Sequence, residues 1–449
     1  MCSVVRNIFL SLCVLALNSA FAYSAELQAE IKQDLINKLN TNSLVVYTQD
    51  KNIITSQEHD LSPLLNYIEN NSFKNAYAFD KTVGRAAALL YAYGNADYVY
   101  AKTISKPAIK ILKKNGIQYE AENVINEIPN KSNTDICPFE KLVKNIDNPT
   151  QAYGMIYKKM NPDTSVVYFT HNITPDNLVK MYDILGVKLK KKVAVKLHSG
   201  EPGGNNFLKP NFVKPLVKKV NGTIVECNTA YEGRRNTTEK HKIVIKEHGF
   251  TKIAKVDIMD ADEEIVLDIP QGKQIKKNYV GKNIENYNSM LVLSHFKGHQ
   301  MGGYGGALKN ISIGIASSYG KKYIHGAGNP EEMWTCEKNK FLESMADASK
   351  SIVDYFDDEI VFINVMNNMS VDCDCNKNPT PVEMADIGIL SSIDPVALDR
   401  ACVDLVYNSN DSGKKSLIER IESRNGTHTI DAAQELKIGT KKYFLIEMK

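Results

Sequence analysis

The chain has 449 residues, of which 43% are hydrophobic and 24% charged, and a formal net charge of +3 at pH 7. This is globular composition, and it excludes collagen-like, disordered and coiled-coil proteins. Lys and Asp/Glu are interspersed rather than blocked, so the sequence carries no electrostatic footprint for nucleic acid.

The first element is Met1–Ala22, with a single positive charge at Arg6, an apolar run from Ile8 to Leu17, and small residues around Ala20-Phe21-Ala22. The run is too short to span a bilayer and ends in an A-x-A-like site, the pattern of a cleaved secretory signal; a buried helix is the alternative. Cleavage would make the protein periplasmic or secreted; otherwise it is cytoplasmic. Cleavage would also leave six of the eight cysteines, far too sparse for a disulfide scaffold. No later stretch is apolar enough for stable membrane insertion.

Residues 26–147 read as one unit. Leu27–Leu39 has helical period, Ser43–Tyr47 reads as a strand, and Leu61–Ile68 as a helix opened by Ser62-Pro63. Ala76–Phe79 is a short strand leading through Asp80-Lys81-Thr82-Val83-Gly84-Arg85 into a helix over Ala86–Tyr91, with Asp80 either a plain N-cap or, with Lys81, a contact for a small ligand. Asp97–Ala101 is a strand, and Ser105-Lys106-Pro107 caps a helix over Ala108–Lys114 that Gly116 stops. Strands alternate with helices, which is α/β order.

The runs Phe79-Asp80-Lys81-Thr82-Val83-Gly84-Arg85, Ile104-Ser105-Lys106-Pro107-Ala108, Asn115-Gly116-Ile117 and Cys137-Pro138-Phe139-Glu140 resemble a small bacterial and archaeal family, the domain of unknown function DUF1893. The resemblance implies a three-layer, cytidine-deaminase-like fold. Its chemistry does not carry over: a zinc deaminase needs H-x-E at one helix start and P-C-x-x-C at the next. Asp80-Lys81-Thr82 and Ser105-Lys106-Pro107 stand in those places, so no zinc ligand set remains and the unit reads as non-catalytic.

Residues 148–164, rich in Asn and Pro, read as a linker. From residue 165 to 449 the α/β alternation resumes as a larger domain with a mostly parallel sheet. Strands are expected at Val166–Phe169, Val193–Leu197, Thr223–Glu226, Lys255–Met259, Met290–Leu293, Ile360–Val365 and Ile387–Leu390. Helices are expected at Pro175–Leu185, Asn211–Val220, Thr238–His248, Phe341–Phe356 and Pro395–Tyr407, the last with Cys402 facing the core.

The informative pattern lies in the loops that leave the strands. His198-Ser199-Gly200-Glu201 comes after the second strand, Tyr231 to Arg235 after the third, Ser294 to His299 after the fifth, Asp372-Cys373-Asp374-Cys375 after the sixth, and Ser391-Ser392 with Asp394 after the last. In an open, mostly parallel sheet these loops share the carboxyl edge, where ligands bind. In an extended segment Cys373 and Cys375 point together. With the imidazoles of His295 and His299 they make a soft donor set for a zinc or iron ion, or for part of an iron–sulfur cluster; unmetallated thiols in a polar turn are the alternative.

The run Met301-Gly302-Gly303-Tyr304-Gly305-Gly306 precedes a helix. It is neither a P-loop nor G-x-G-x-x-G, but amide groups at Gly303, Gly305 and Gly306, with Lys309 and Asn310, suit a phosphate or carboxylate. His198, Arg234 and Lys297 are further candidates for binding that anion, and Arg235 beside Arg234 could join in clamping it, although adjacent arginines usually point apart. Glu201, Asp394 and Asp399 are the candidate acid/base residues.

This second domain resembles the bacterial domain of unknown function DUF362 through Val193–Glu201, Tyr231-Glu232-Gly233-Arg234, Ser294–His299, Gly305–Asn310, Cys373-Asp374-Cys375 and Asp394-Pro395-Val396-Ala397-Leu398-Asp399. Many relatives carry a ferredoxin-like insert and are described as iron–sulfur proteins. Here Trp334-Thr335-Cys336-Glu337 leads directly into the Phe341 helix, so the insert is absent. Two functions fit this set. One is a metal-binding protein, redox-active with a redox partner, acting on a small anionic ligand. The other is a non-catalytic ligand-binding or regulatory protein with two binding domains.

Overall fold

The computed structural model describes residues 27–448 apart from Lys377. The expected signal segment, Met1–Ala22, lies outside the described residues. The described residues divide into two compact units, with the boundary between Lys159 and Met160. None of the described helices is long and apolar enough to cross a membrane.

The first unit runs α1 (Ala29–Lys38), β1 (Leu44–Tyr47), β2 (Ile53–Ser56), α2 (Ser62–Asn70), β3 (Tyr77–Val83), α3 (Arg85–Tyr93), β4 (Tyr98–Ser105), α4 (Lys106–Lys114), β5 (Gln118–Ile125), α5 (Pro138–Leu142) and α6 (Pro149–Met160). Its sheet has the order β2-β1-β3-β4-β5. β1 is antiparallel to both neighbours, and β3, β4 and β5 are parallel. Leu35, Leu39, Val45 and Phe79 form its apolar cluster between α1 and the sheet; each such buried side chain contributes roughly 1.5–3 kcal/mol.

Two expectations fail in this unit. Asp80 is not a helix cap: it lies within β3, where its carboxylate accepts from Tyr91 Oη at 2.9 Å and from the Thr82 amide. The cap of α3 comes instead from Glu140, which accepts from the amides of Arg85 and Ala86 at 2.8 and 2.9 Å. The span expected as a linker contains α6, held by a stack of Tyr153 on Tyr93 with ring centroids 4.2 Å apart. Ser105 does cap α4, accepting from the Ala108 amide.

The second unit runs β6 (Ser165–Thr170), α7 (Pro175–Asp183), β7 (Val193–Lys196), α8 (Pro210–Lys219), β8 (Thr223–Glu226), α9 (Thr238–Glu247), β9 (Val256–Ile258), β10 (Glu264–Asp268) and β11 (Lys277–Gly281). It continues through β12 (Ser289–His295), β13 (Lys297–His299), β14 (Gly303–Gly305), α10 (Ala307–Ser312), α11 (Ser318–His325) and α12 (Lys338–Phe356). It ends with β15 (Ile360–Met366), β16 (Gly388–Ser392), α13 (Pro395–Asn408), α14 (Lys414–Ser423), α15 (His428–Glu435) and β17 (Tyr443–Glu447).

Eight of these strands form one sheet in the order β17-β6-β16-β15-β12-β7-β8-β9. β16 is antiparallel to both neighbours and every other pair is parallel. The fold is therefore α/β with a mostly parallel sheet, as the sequence indicates. β12 and β15 are buried at every position, which is why they read as unbroken apolar runs. β10 and β11 pair as a separate hairpin, and β13 and β14 as another.

The direction of β16 corrects one expectation. Because it runs against β15, the residues after it leave the opposite edge from the other loops, taking Asp394 with them. There Asp394 caps α13 through the amides of Val396 and Ala397, and accepts from Ser165 Oγ and the Thr440 amide.

Candidate functional site

At the carboxyl ends of β7, β8, β12 and β15 lies a cavity of ≈ 290 Å³. Its lining includes Lys196, His198, Glu226, Arg235, Lys297, His299, Lys309, Lys321, Cys373 and Cys375. Five cations thus face a space with a single lining carboxylate, and three of them are already paired.

Lys196, 1% exposed, meets Glu226 at 2.8 Å. Burial alone would raise the Glu226 carboxyl, but Lys196 and its other cationic neighbours outweigh it and hold it low. Glu226 also accepts from the amide and hydroxyl of Ser199, fixing the loop after β7. Arg235 pairs with Glu201 at 2.6 Å, and Lys297 with Asp374 at 2.9 Å. The ammonium of Lys309, by contrast, makes no side-chain hydrogen bond or ion pair among the described residues. With Lys321 donating to the Ala316 carbonyl, Lys309 is the cation left for a ligand.

Two of the imidazoles in the lining, His198 and His299, are held neutral by burial. Burial pushes His198 down to about 3 and His299 down to about 4, because a charged ring cannot be solvated there. His198 Nδ1 accepts from the Gly200 amide. His299 Nδ1 accepts from the amides of Met301 and Gly302 at 3.2 and 2.9 Å, so its proton sits on Nε2. That nitrogen donates towards Cys373.

His299, Cys373 and Cys375 bring one nitrogen and two sulfurs within 4.8 Å of one another. The thiols do converge, but through a turn rather than an extended segment: the Cys375 amide donates to Cys373 Sγ at 3.3 Å. The pair shares a proton, with Cys375 donating to Cys373, so the Cys373 thiol is held well below its ordinary range and that of Cys375 above it. Lys309 adds to the stabilisation of the Cys373 thiolate.

Two sulfurs and an imidazole are a fitting donor set for a soft or borderline ion. The thiols fit better than the ring, whose Nε2 must first give up its proton. His295, expected as a ligand, is not one. Both its ring nitrogens are already engaged, Nε2 donating to the Asn367 carbonyl at 2.6 Å and Nδ1 lying 2.8 Å from the Asp374 carboxylate.

Of the other sequence candidates, Gly305, Gly306 and Asn310 line the cavity. Asn310 is fixed by donation to Ser294 Oγ at 3.0 Å. Gly303 does not line it; its φ of +79°, and the 2.9 Å at which an added Cβ would lie from Gly426 Cα, show a glycine required by a turn. Arg234 turns outward to Glu247 at 2.7 Å and lines a separate cleft beside Glu201, Cys373 and Cys375; its neighbour Arg235 faces the pocket.

Asp399 is a positioning residue rather than an acid/base. It accepts from the Ala307 and Leu308 amides at 2.7 and 3.0 Å, from Asn364 Nδ2 at 2.7 Å and from Tyr304 Oη at 3.4 Å, and is fully buried away from the cavity. It holds the N-terminus of α10, and α10 carries Lys309. Sequence reasoning missed Lys196, Glu226 and Lys321, and gave Asp374 no role. Lys196 and Glu226 had a signal, each being a lone charge in an apolar strand.

Residues 193–404 match the family model described as a domain of unknown function, DUF362, and residues 33–160 match a second, DUF1893. A crystal structure of a DUF1893 family protein from Thermotoga maritima is 26% identical, with a TM-score of 0.28, covering 30% of this chain and 92% of its own. The lactate racemase apoprotein from Thermoanaerobacterium thermosaccharolyticum is 15% identical, with a TM-score of 0.34 and coverage of 55% of this chain and 58% of its own. A further Thermotoga maritima protein is 14% identical, with a TM-score of 0.33 and coverage of 51% and 57%. The chain thus spans less than two thirds of the length of these last two. No curated protein matches. The chain therefore joins a segment matching DUF1893 to one matching DUF362, and the cation-lined pocket lies in the unit that carries the second.

Proposed function

We propose that the second unit binds a small anion, a carboxylate or phosphate, beside a soft metal ion held by Cys373 and Cys375 with His299 as third donor. The observation that carries this reading is the position of that donor group in the wall of a pocket whose cations outnumber its carboxylates. Lys309 receives the anion, while the paired Lys297 and Arg235 supply a positive field that water screens poorly inside the cavity. Asn310 and the Gly305–Gly306 backbone add hydrogen-bonding groups. A bound zinc or iron would supply Lewis acidity to that anion, and iron in addition a redox couple. Glu201 is the one sequence-derived acid/base candidate near the thiols, and its pairing with Arg235 makes its first role the placement of that arginine.

The test is elemental analysis of anaerobically purified full-length protein. We expect stoichiometric zinc or iron, lost in Cys373→Ser/Cys375→Ser and only weakened in His299→Ala, because the ring must be deprotonated to ligate. Metal-free protein, or metal retained in the double variant, refutes the metal reading. A metal-free protein whose anion affinity still falls in Lys309→Ala supports the simpler reading of a ligand-binding protein.

A further inference from the structure

The pocket has a second, apolar wall that the anion does not use. Met301 and Ile313 belong with Ile324, Phe341 and Met345 to a separate apolar cluster, and His325 stacks on Phe341 with ring centroids 4.7 Å apart. Met301, Ile313, His325, Met333 and Trp334 all line the cavity. Met333 is buried, whereas Trp334, the chain's one tryptophan, is 65% exposed. The wall therefore runs from the interior to the solvent.

This wall starts beside the free cation. The Ile313 amide donates to the Lys309 carbonyl at 3.1 Å, so the two side chains sit one helical turn apart on the same face. A small hydrophilic anion would occupy the Lys309 end and leave the aromatic surface of Trp334 in water. Isolated exposed apolar residues need no explanation. One that is continuous with a cavity wall offers a ligand burial it would otherwise have to find elsewhere.

We propose that the ligand is an amphiphilic anion: a carboxylate or phosphate head at Lys309, with an apolar or aromatic tail lying along Ile313, Met301 and Met333 to Trp334. This rests on the anion reading of the same pocket. Trp334 and Met333 then set specificity for the tail, and Lys309 sets it for the head.

Calorimetric titration of the full chain with acetate, hexanoate, phenylbutyrate, inorganic phosphate and hexyl phosphate tests both halves. Affinity should rise about fourfold per buried methylene from acetate to hexanoate, and the tailed ligands should change Trp334 fluorescence. The carboxylate and phosphate series identify the head group. Trp334→Ala should remove most of the gain with chain length and Trp334→Phe should restore it, whereas Lys309→Ala should weaken every member of a series. Head groups that bind equally well with and without a tail, or a chain-length gain that survives in Trp334→Ala, overturn the amphiphile proposal and leave the anion pocket standing. If none of the five binds, the anion reading fails first and the tail falls with it.

Discussion

Gly306 and Asp399 should be energetically coupled, and Gly306→Ala is the perturbation that shows it. A Cβ at Gly306 would overlap Asp399 Oδ1 and lie 2.8 Å from Cγ and 3.0 Å from Oδ2. The carboxylate has nowhere to go, being held by the Ala307 and Leu308 amides at 2.7 and 3.0 Å and by Asn364 at 2.7 Å. Its retreat breaks the cap on α10. Each buried donor left without a partner costs about 1–3 kcal/mol, so Gly306→Ala should destabilise the second unit by about 2–5 kcal/mol.

Urea unfolding followed by the fluorescence of Trp334, which lies in this unit, is the assay; the midpoint should fall with the slope unchanged. Asp399→Ala alone should cost a comparable amount, because it too leaves the amides of α10 unpaired. In that background the clash is gone, and Gly306→Ala should add less than about 0.5 kcal/mol, within the range of a neutral substitution. Additive losses in the double variant would refute the reasoning, since they would place the cost of the methyl group somewhere other than Asp399.

Lys196→Met should cost about 3–5 kcal/mol by leaving Glu226 buried and uncompensated, and Lys196→Met/Glu226→Leu should recover much of it; denaturant midpoints of the single and double variants decide. His241 is fully buried with Nε2 unpartnered, and burial pushes it from 6.5 down to about 3. The unfolded chain therefore binds a proton below its own value that the folded chain refuses. Stability falls as pH drops below that value, by about 2 kcal/mol at about pH 5, and His241→Leu should remove that part of the slope. A Cβ on Gly305 would meet Lys309 Cδ at 3.5 Å and Lys297 Cε at 4.0 Å, ordinary contacts. Gly305→Val should therefore keep the fold while weakening anion binding by about tenfold or more, read by calorimetry.

The parts of this structure legible in the sequence are those written in local pattern. β12 and β15 show as apolar runs because burial on both faces imposes one, and the pocket's edge shows in the polar residues just beyond those runs. The same pattern cannot show strand direction: Gly388–Ser392 is equally apolar in either orientation, and the expectation for Asp394 fails for that reason alone. Asp399 and Gly306 fail differently. A carboxylate on a helix reads as a candidate acid, and a glycine before a helix as an anion cradle. Here the acid is the permanent occupant of that helix start, 92 positions away in sequence. The local signal for a phosphate site, amides converging ahead of a helix, is thus satisfied from within at Ala307 and Leu308. What remains for a ligand is Lys309, and its claim rests on a comparison no single stretch contains: Lys196, Arg235 and Lys297 each pair with a carboxylate from another segment, Lys321 donates to the Ala316 carbonyl, and Lys309 pairs with no carboxylate among the described residues.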